Sequence, residues 1–285
     1  MKKIIFIGIV LLYLVLPLFA GGEKESQVEK STISVAVSIL PQKYFIERIG
    51  GDAVSVMVLV LPGESPATYE PTPKQVSALS RAAVLFTIGV PFERAFIPKI
   101  RASLTNLDIV DTAAGITKRT FGNGSADPHI WMSPPLVKIQ AQTMLKALIS
   151  IDPERKDFFT RNYARFMEDL DALDGELSVT LAPLKGSIFF VYHPSFGYFA
   201  DRYGMKQVAI ETGGKDPGPK TLGAVITKVK KSGVRTIFVQ PEFQQNSARV
   251  IAEATGAAVA AIDPLAENYL ANLRLIAKVL TDSAK

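Results

Sequence analysis

Two histidines, His129 and His193, occur in the 285 residues, and there is no cysteine. Imidazole ligands or an imidazole base must come from these positions, and thiolate chemistry is excluded. His129 lies in Asp127-Pro128-His129-Ile130-Trp131-Met132-Ser133-Pro134, which also holds the one tryptophan of the chain. Prolines on both sides of it stop helix and stiffen the loop. Neutral imidazole is the commonest metal ligand, and a ligand needs a rigid seat. His193 ends the run Ser187 to His193 (SIFFVYH) and is followed by Pro194. Glu211, Glu242 and Asp263 stand at or just after three further apolar runs, and the loop Pro62 to Pro73 carries Glu64 and Glu70. Two imidazoles and a carboxylate from separate elements suit Zn²⁺ or a similar divalent ion, a borderline-soft metal taking nitrogen with hard oxygen. The same residues also have a purely structural reading. A loop histidine packs on a neighbouring tryptophan, a strand-end histidine closes a core, and Asp263-Pro264 makes a turn.

The elements that must position these groups alternate short β-branched runs with longer amphipathic ones, the pattern of βα units and mostly parallel sheets. Strands are expected at residues 33–38, 54–61, 84–89 and 108–111, and again at 187–193, 207–211, 236–240 and 259–263. Helices are expected between them, several opening near a proline, as suits a first helical turn. Ser133 is placed to cap a helix running to Ile151. From Pro153 to about Leu181, Phe159, Tyr163, Phe166, Leu170, Leu173 and Leu177 recur at helical steps, with Gly175 as the one breaker. At ~1.5 Å per residue that is a rod on the order of 40 Å, too long for one small sheet. It reads as a strut between two lobes, or as two helices bent at Gly175. The fold class is therefore α/β, two lobes each with a mostly parallel four-stranded sheet, joined by a long bridging helix. The expected boundaries are an N-terminal lobe over 32–132, a helical bridge over 133–184 and a C-terminal lobe over 185–285. In such sheets ligands bind beyond the carboxyl ends of the strands, where both histidines and several carboxylates fall.

The first residues carry a different message. Met1-Lys2-Lys3, the apolar run Ile4 to Ala20 and small residues Ala20-Gly21-Gly22 form an export signal over 1–22, followed by a polar tether over 23–31. The alternative is an uncleaved anchor, since 17 apolar residues lie at the low edge of the roughly 17–25 that span a bilayer. Either reading sends the body out of the cytoplasm, to the periplasm or the outer face of the cytoplasmic membrane. Without Lys2 and Lys3 the net charge falls from +5 to +3 and is spread evenly, so no nucleic-acid partner is expected.

Four segments carry a family resemblance: Gly63 to Pro73 (GESPATYEPTP), Asp127 to Pro134 (DPHIWMSP), Val191 to Gly204 (VYHPSFGYFADRYG), and Ile262 to Leu265 (IDPL) with the following YLANL. In this order they resemble the metal-binding solute-binding proteins of zinc and manganese ABC importers, the ZnuA/TroA-like family. That resemblance implies two α/β lobes on a rigid helix, one divalent ion in the cleft, delivery to a permease with its ATPase, and no enzymatic role. The second, third and fourth metal ligands of the family fall on His129, His193 and Asp263. The first does not carry over, because Ala67 stands where the family has histidine. Water, Glu64 or Glu211 is left to complete the site. A histidine at the third position accompanies zinc in this family, with manganese the second choice. The histidine-rich loop of some zinc members is absent from Gly115 to Ala126 (GITKRTFGNGSA).

Rival readings come from other classes. A zinc hydrolase also uses three protein ligands and an open position, but there is no H-E-x-x-H motif. A solute-binding protein that has exchanged metal for another small ligand would begin by losing a ligand, as at Ala67. An adhesin-like surface role, which family members sometimes acquire, has no feature here that tests it. A monomer is expected, meeting the membrane only through its signal segment or the permease.

Overall fold

The computed structural model describes residues 32–211, 217–243 and 246–284, so the export segment and the tether lie outside the described residues. The folded body Thr32–Lys285 is one compact unit built on two parallel sheets. The first contains β1 (Ile33–Val37), β2 (Val54–Val58), β3 (Val84–Thr87) and β4 (Asp108–Asp111), in the order β2-β1-β3-β4. The second contains β5 (Ile188–Val191), β6 (Lys206–Ala209), β7 (Thr236–Val239) and β8 (Ala258–Ala261), in the order β6-β5-β7-β8. Both sheets thus have the same topology, and each reverses strand order between its first and third strands. Such a switch point opens a crevice at the carboxyl ends of the two strands.

All eight expected strands form, and most end a few residues early. Beyond β2 the pairing continues as single bonds, Leu59 N donating to the Val37 carbonyl and Val60 N to that of Ser38, both at 3.0 Å. Leu59 and Val60 are buried, so the apolar run outlasts the regular strand because the core, not the ladder, holds its end. At the end of β3, the Ile88 and Gly89 N–H groups turn to the buried Glu93 carboxylate at 3.0 and 2.7 Å instead of a strand.

The helices are α1 (Leu40–Gly50), α2 (Pro73–Leu79), α3 (Glu93–Ser103), α4 (Pro134–Ile151), α5 (Lys156–Thr180), α6 (Gly197–Arg202), α7 (Pro219–Ser232), α8 (Asn246–Thr255) and α9 (Tyr269–Asp282). Thr72 and Gln75 close a reciprocal capping box on α2. Ser133 holds the cap position of α4 but makes no side-chain bond there. Its carbonyl accepts from Leu136 and Val137 N–H at 2.9 and 3.1 Å, and two prolines in the first turn leave few donors needing a cap.

The long helix is continuous through Gly175, one helix and not two. It starts later than Pro153, because the Asp152 side chain caps Arg155 N at 3.2 Å and holds Pro153–Arg155 in a separate 3₁₀ turn. Its first half packs on α1, where Phe166 meets Phe45 at 5.9 Å and Asn162 Nδ2 donates to the Ile49 carbonyl at 3.1 Å. Its second half meets the other sheet's helices. Asp174 accepts from Arg202 Nε at 2.8 Å and Tyr203 OH at 3.0 Å, and Glu176 accepts from Arg274 Nε at 2.7 Å.

Alternation along β5 divides the core. Phe189 and Val191 join one apolar body that runs from the N-terminal sheet through α4, α5 and α9, whereas Phe190 and Tyr192 point into a smaller one under α7 and α8. The larger body crosses between the sheets directly, since Tyr269 of α9 sits edge-on to Phe45 of α1 at 4.9 Å. Packing as well as the rod therefore joins the two halves.

Candidate metal centre

The loop ahead of α4 is held from both sides. Asp127 Oδ1 accepts from His129 N at 3.0 Å, the local turn of an aspartate bonding two residues on, and pairs with His129 Nδ1 at 2.7 Å. Tyr198 OH donates to the Asp127 carbonyl at 2.9 Å, and Arg119 also faces the carboxylate. Trp131 packs on the His129 ring, and its Nε1 donates to the Pro264 carbonyl at 2.8 Å. The one tryptophan thus ties the His129 loop to the turn that follows Asp263.

His193 stands at the switch point of the C-terminal sheet. Gln240, at the end of β7, accepts from His193 N at 3.0 Å and donates to its carbonyl at 2.8 Å, fixing the backbone. Phe243 stacks on the imidazole at 4.8 Å between centroids, and Nδ1 pairs with Glu211 Oε1 at 2.9 Å. Burial pushes the His193 pKa below its ordinary 6.5; Glu211 opposes this and the nearby His129 adds to it.

The two imidazoles meet across the gap between the sheets, Nε2 to Nε2, at 3.3 Å. Each Nδ1 faces a carboxylate oxygen, an acceptor, so each ring carries its proton there and presents the Nε2 lone pair. Two lone pairs facing each other repel unless a cation or a shared proton lies between them. Two nitrogens on one tetrahedral Zn²⁺, each at ~2.0–2.1 Å, stand roughly 3.3–3.4 Å apart. The observed separation fits that geometry, and the carboxylate behind each ring is the usual orienting partner of a metal-bound histidine.

The carboxylates sort themselves by position. Glu211 is occupied behind His193, and Glu64 accepts from Leu61 N at 2.9 Å in an exposed loop. A cavity of about 80 Å³ contains both histidines, Ala67 and Glu242, with Phe121 and Trp131 among its apolar walls. Asp263 lines a neighbouring cavity instead, where Glu242 forms the shared wall. The two carboxyls are neighbours on that wall, and Asp263 Oδ1 accepts from Leu265 N at 2.7 Å. Burial first, and then Asp263, push the Glu242 carboxyl up to about 8. Among the described residues, no three histidine, aspartate or glutamate side chains stand together as a ready-made ligand group. The structure therefore brings His129 and His193 together and leaves Asp263 one side chain away.

Sequence reasoning passed over Asp127, Glu242 and Phe243 as contributors. The Asp-x-His spacing was a usable sign of Asp127's turn, and Glu242 followed a strand as plainly as Asp263 does. Nothing local marked Phe243 as the platform under His193.

Known proteins resemble this chain over most of its length. The profile of the family described as zinc-uptake complex component A, periplasmic (ZnuA) matches residues 35–283. The high-affinity zinc uptake system protein ZnuA of Brucella abortus is 32% identical over 295 residues, covering 87% of this chain and 88% of that protein. A crystal structure of a ZnuA superposes with a TM-score of 0.86 at 40% identity, covering 88% of this chain and 99% of that one. A zinc-bound ZnuA deletion mutant gives 0.85 at 40% identity, covering 89% and 98%. With the same two-sheet fold and a profile match over nearly all of the described body, the chain belongs to the ZnuA family of periplasmic zinc-uptake components.

Proposed function

We propose that this chain captures a divalent transition metal outside the cytoplasm, zinc first and manganese second, and delivers it as a monomer to an ABC permease and its ATPase. His129 and His193 bind the ion through Nε2, with Asp263 as the carboxylate ligand from the C-terminal lobe. Residues 1–22 act as the export signal, 23–31 as a tether, and 133–184 as the bridge between lobes 32–132 and 185–285.

The single observation that supports this reading best is the 3.3 Å approach of two imidazole Nε2 atoms whose Nδ1 atoms both face carboxylates. A shared proton would satisfy one lone pair at the cost of a buried imidazolium, whereas a metal ion satisfies both. The family's transport role supports capture rather than hydrolysis.

The test is metal analysis of protein purified without chelators. Near-stoichiometric zinc, lost in His129→Ala and in His193→Ala, is expected. Metal-free protein whose melting temperature is unmoved by Zn²⁺, Mn²⁺ or Fe²⁺ would instead favour a cleft that holds another small ligand.

A further inference from the structure

Ala67 leaves the N-terminal half with one imidazole, and the cavity that its methyl faces has a compensating group on the opposite wall. Among the described residues lining that cavity, His129, His193 and Glu242 are those with metal-binding side chains. The remaining walls are apolar or hydroxylic. Glu242 Oε2 is buried and has no hydrogen-bond partner. A buried carboxylate oxygen without a donor is costly, and here it shares a cavity with two imidazole lone pairs. Two imidazole lone pairs and an unpartnered carboxyl oxygen on one cavity define an environment that a cation satisfies.

Glu242 is also held where it can serve. It precedes Phe243, whose ring stacks on His193, and follows Gln240, which fixes the His193 backbone. Its other carboxyl contact is Asp263, and it separates Asp263 from the histidines. An ion drawn in between the imidazoles meets Glu242 before it reaches Asp263.

We propose that Glu242 is a ligand of the metal, supplying from the C-terminal half the donor that Ala67 does not supply from the N-terminal half. This rests on the metal-capture reading above. The ion is then held by His129, His193, Asp263 and Glu242, two nitrogens and two carboxylates. Two carboxylates offset the ion's double positive charge, and they make a harder set than three imidazoles and one carboxylate would. Hard donors narrow the advantage of zinc over manganese, so the site discriminates less between the two ions than its Ala67→His variant does.

The experiment measures Zn²⁺ and Mn²⁺ affinity by chelator competition for the wild type, His129→Ala, Glu242→Gln, and Glu242→Gln with Ala67→His. X-ray absorption at the zinc edge on the loaded proteins counts nitrogen and oxygen neighbours. Glu242→Gln is expected to weaken both ions by roughly 10-fold or more, manganese more than zinc, with one carboxylate neighbour lost. Adding Ala67→His is expected to recover zinc but not manganese. Affinities within about twofold of wild type, or weaker binding with unchanged neighbours, overturn the ligand role, the latter making Glu242 a positioning residue for Asp263. Wild-type protein that takes no zinc, or His129→Ala protein that takes it normally, overturns the metal-capture reading itself and this proposal with it. Melting of the metal-free variants checks that each is folded.

Discussion

At the scale of single residues, the site consists of acceptors held in place by other acceptors. Asp127 and Glu211 each fix one imidazole tautomer, so the Nε2 atoms face each other and the carboxylates stay behind them. Binding requires neutral rings, and burial already keeps His193 neutral below its ordinary 6.5. Zinc affinity is therefore expected to persist at mildly acidic pH and to collapse below the ordinary imidazole range, read by competition titrations at several pH values. Affinity that does not fall anywhere between neutral pH and pH ~4 would exclude both histidines as ligands. Glu242 gives the opposite sign for the metal-free fold. Its folded pKa, about 8, lies above the ordinary 4.5, so its contribution to stability is complete below 4.5 and is lost as pH rises through about 8. In chelator-treated protein, Glu242→Gln should raise the melting temperature at pH 8 and do little at pH 4.5. Equal shifts at both values would contradict that account. Trp131→Phe keeps the ring against His129 but leaves the Pro264 carbonyl without its donor. A loss of about 1–3 kcal/mol in denaturant unfolding is expected, with weaker zinc binding, since the His129 loop is no longer tied to the Asp263 turn.

Among the elements, α5 shows how local weakness is tolerated when packing is continuous. Gly175 is exposed, lies inside the helix, and a Cβ there meets nothing within 4 Å. Gly175→Ala should add roughly 0.5–1 kcal/mol to stability by reducing the entropy lost on folding, with zinc affinity unchanged. Destabilisation in the same unfolding assay would mean that the helix needs freedom at that point. The helix continues through the glycine because Leu170, Leu173 and Leu177 are buried on either side of it and Asp174 is bonded to Arg202 and Tyr203. Tertiary contacts outweigh one unfavourable propensity.

For the whole molecule, the apolar body that runs from one sheet to the other limits how the gap can open. The rod is anchored on α1 at one end and beside α6 and α9 at the other, and Tyr269 meets Phe45 directly. Wide hinge closure would break that packing, so metal capture should depend on side-chain movement at the strand ends. Solution scattering with and without zinc should give nearly superposable profiles, and a large compaction on zinc addition would contradict this.

By itself, the sequence determined the elements and the identity of the imidazoles. Period-two apolar runs and proline-started amphipathic segments are local patterns, so all eight strands and the long helix could be read directly. With only two histidines in the chain, any nitrogen-based site had to use them. The tertiary structure decided what the sequence carries no local trace of. It placed Glu211 behind the His193 ring, put the Trp131 indole on Pro264, and interposed Glu242 between the histidines and Asp263. These pairings join separate elements of the chain, Glu211 18 positions from His193 and Pro264 133 from Trp131, or set one carboxylate apart from another of the same type. Strand order within the C-terminal sheet, which sets β5 beside β7, decides that the residues after those two strands, His193 and Glu242, share one crevice.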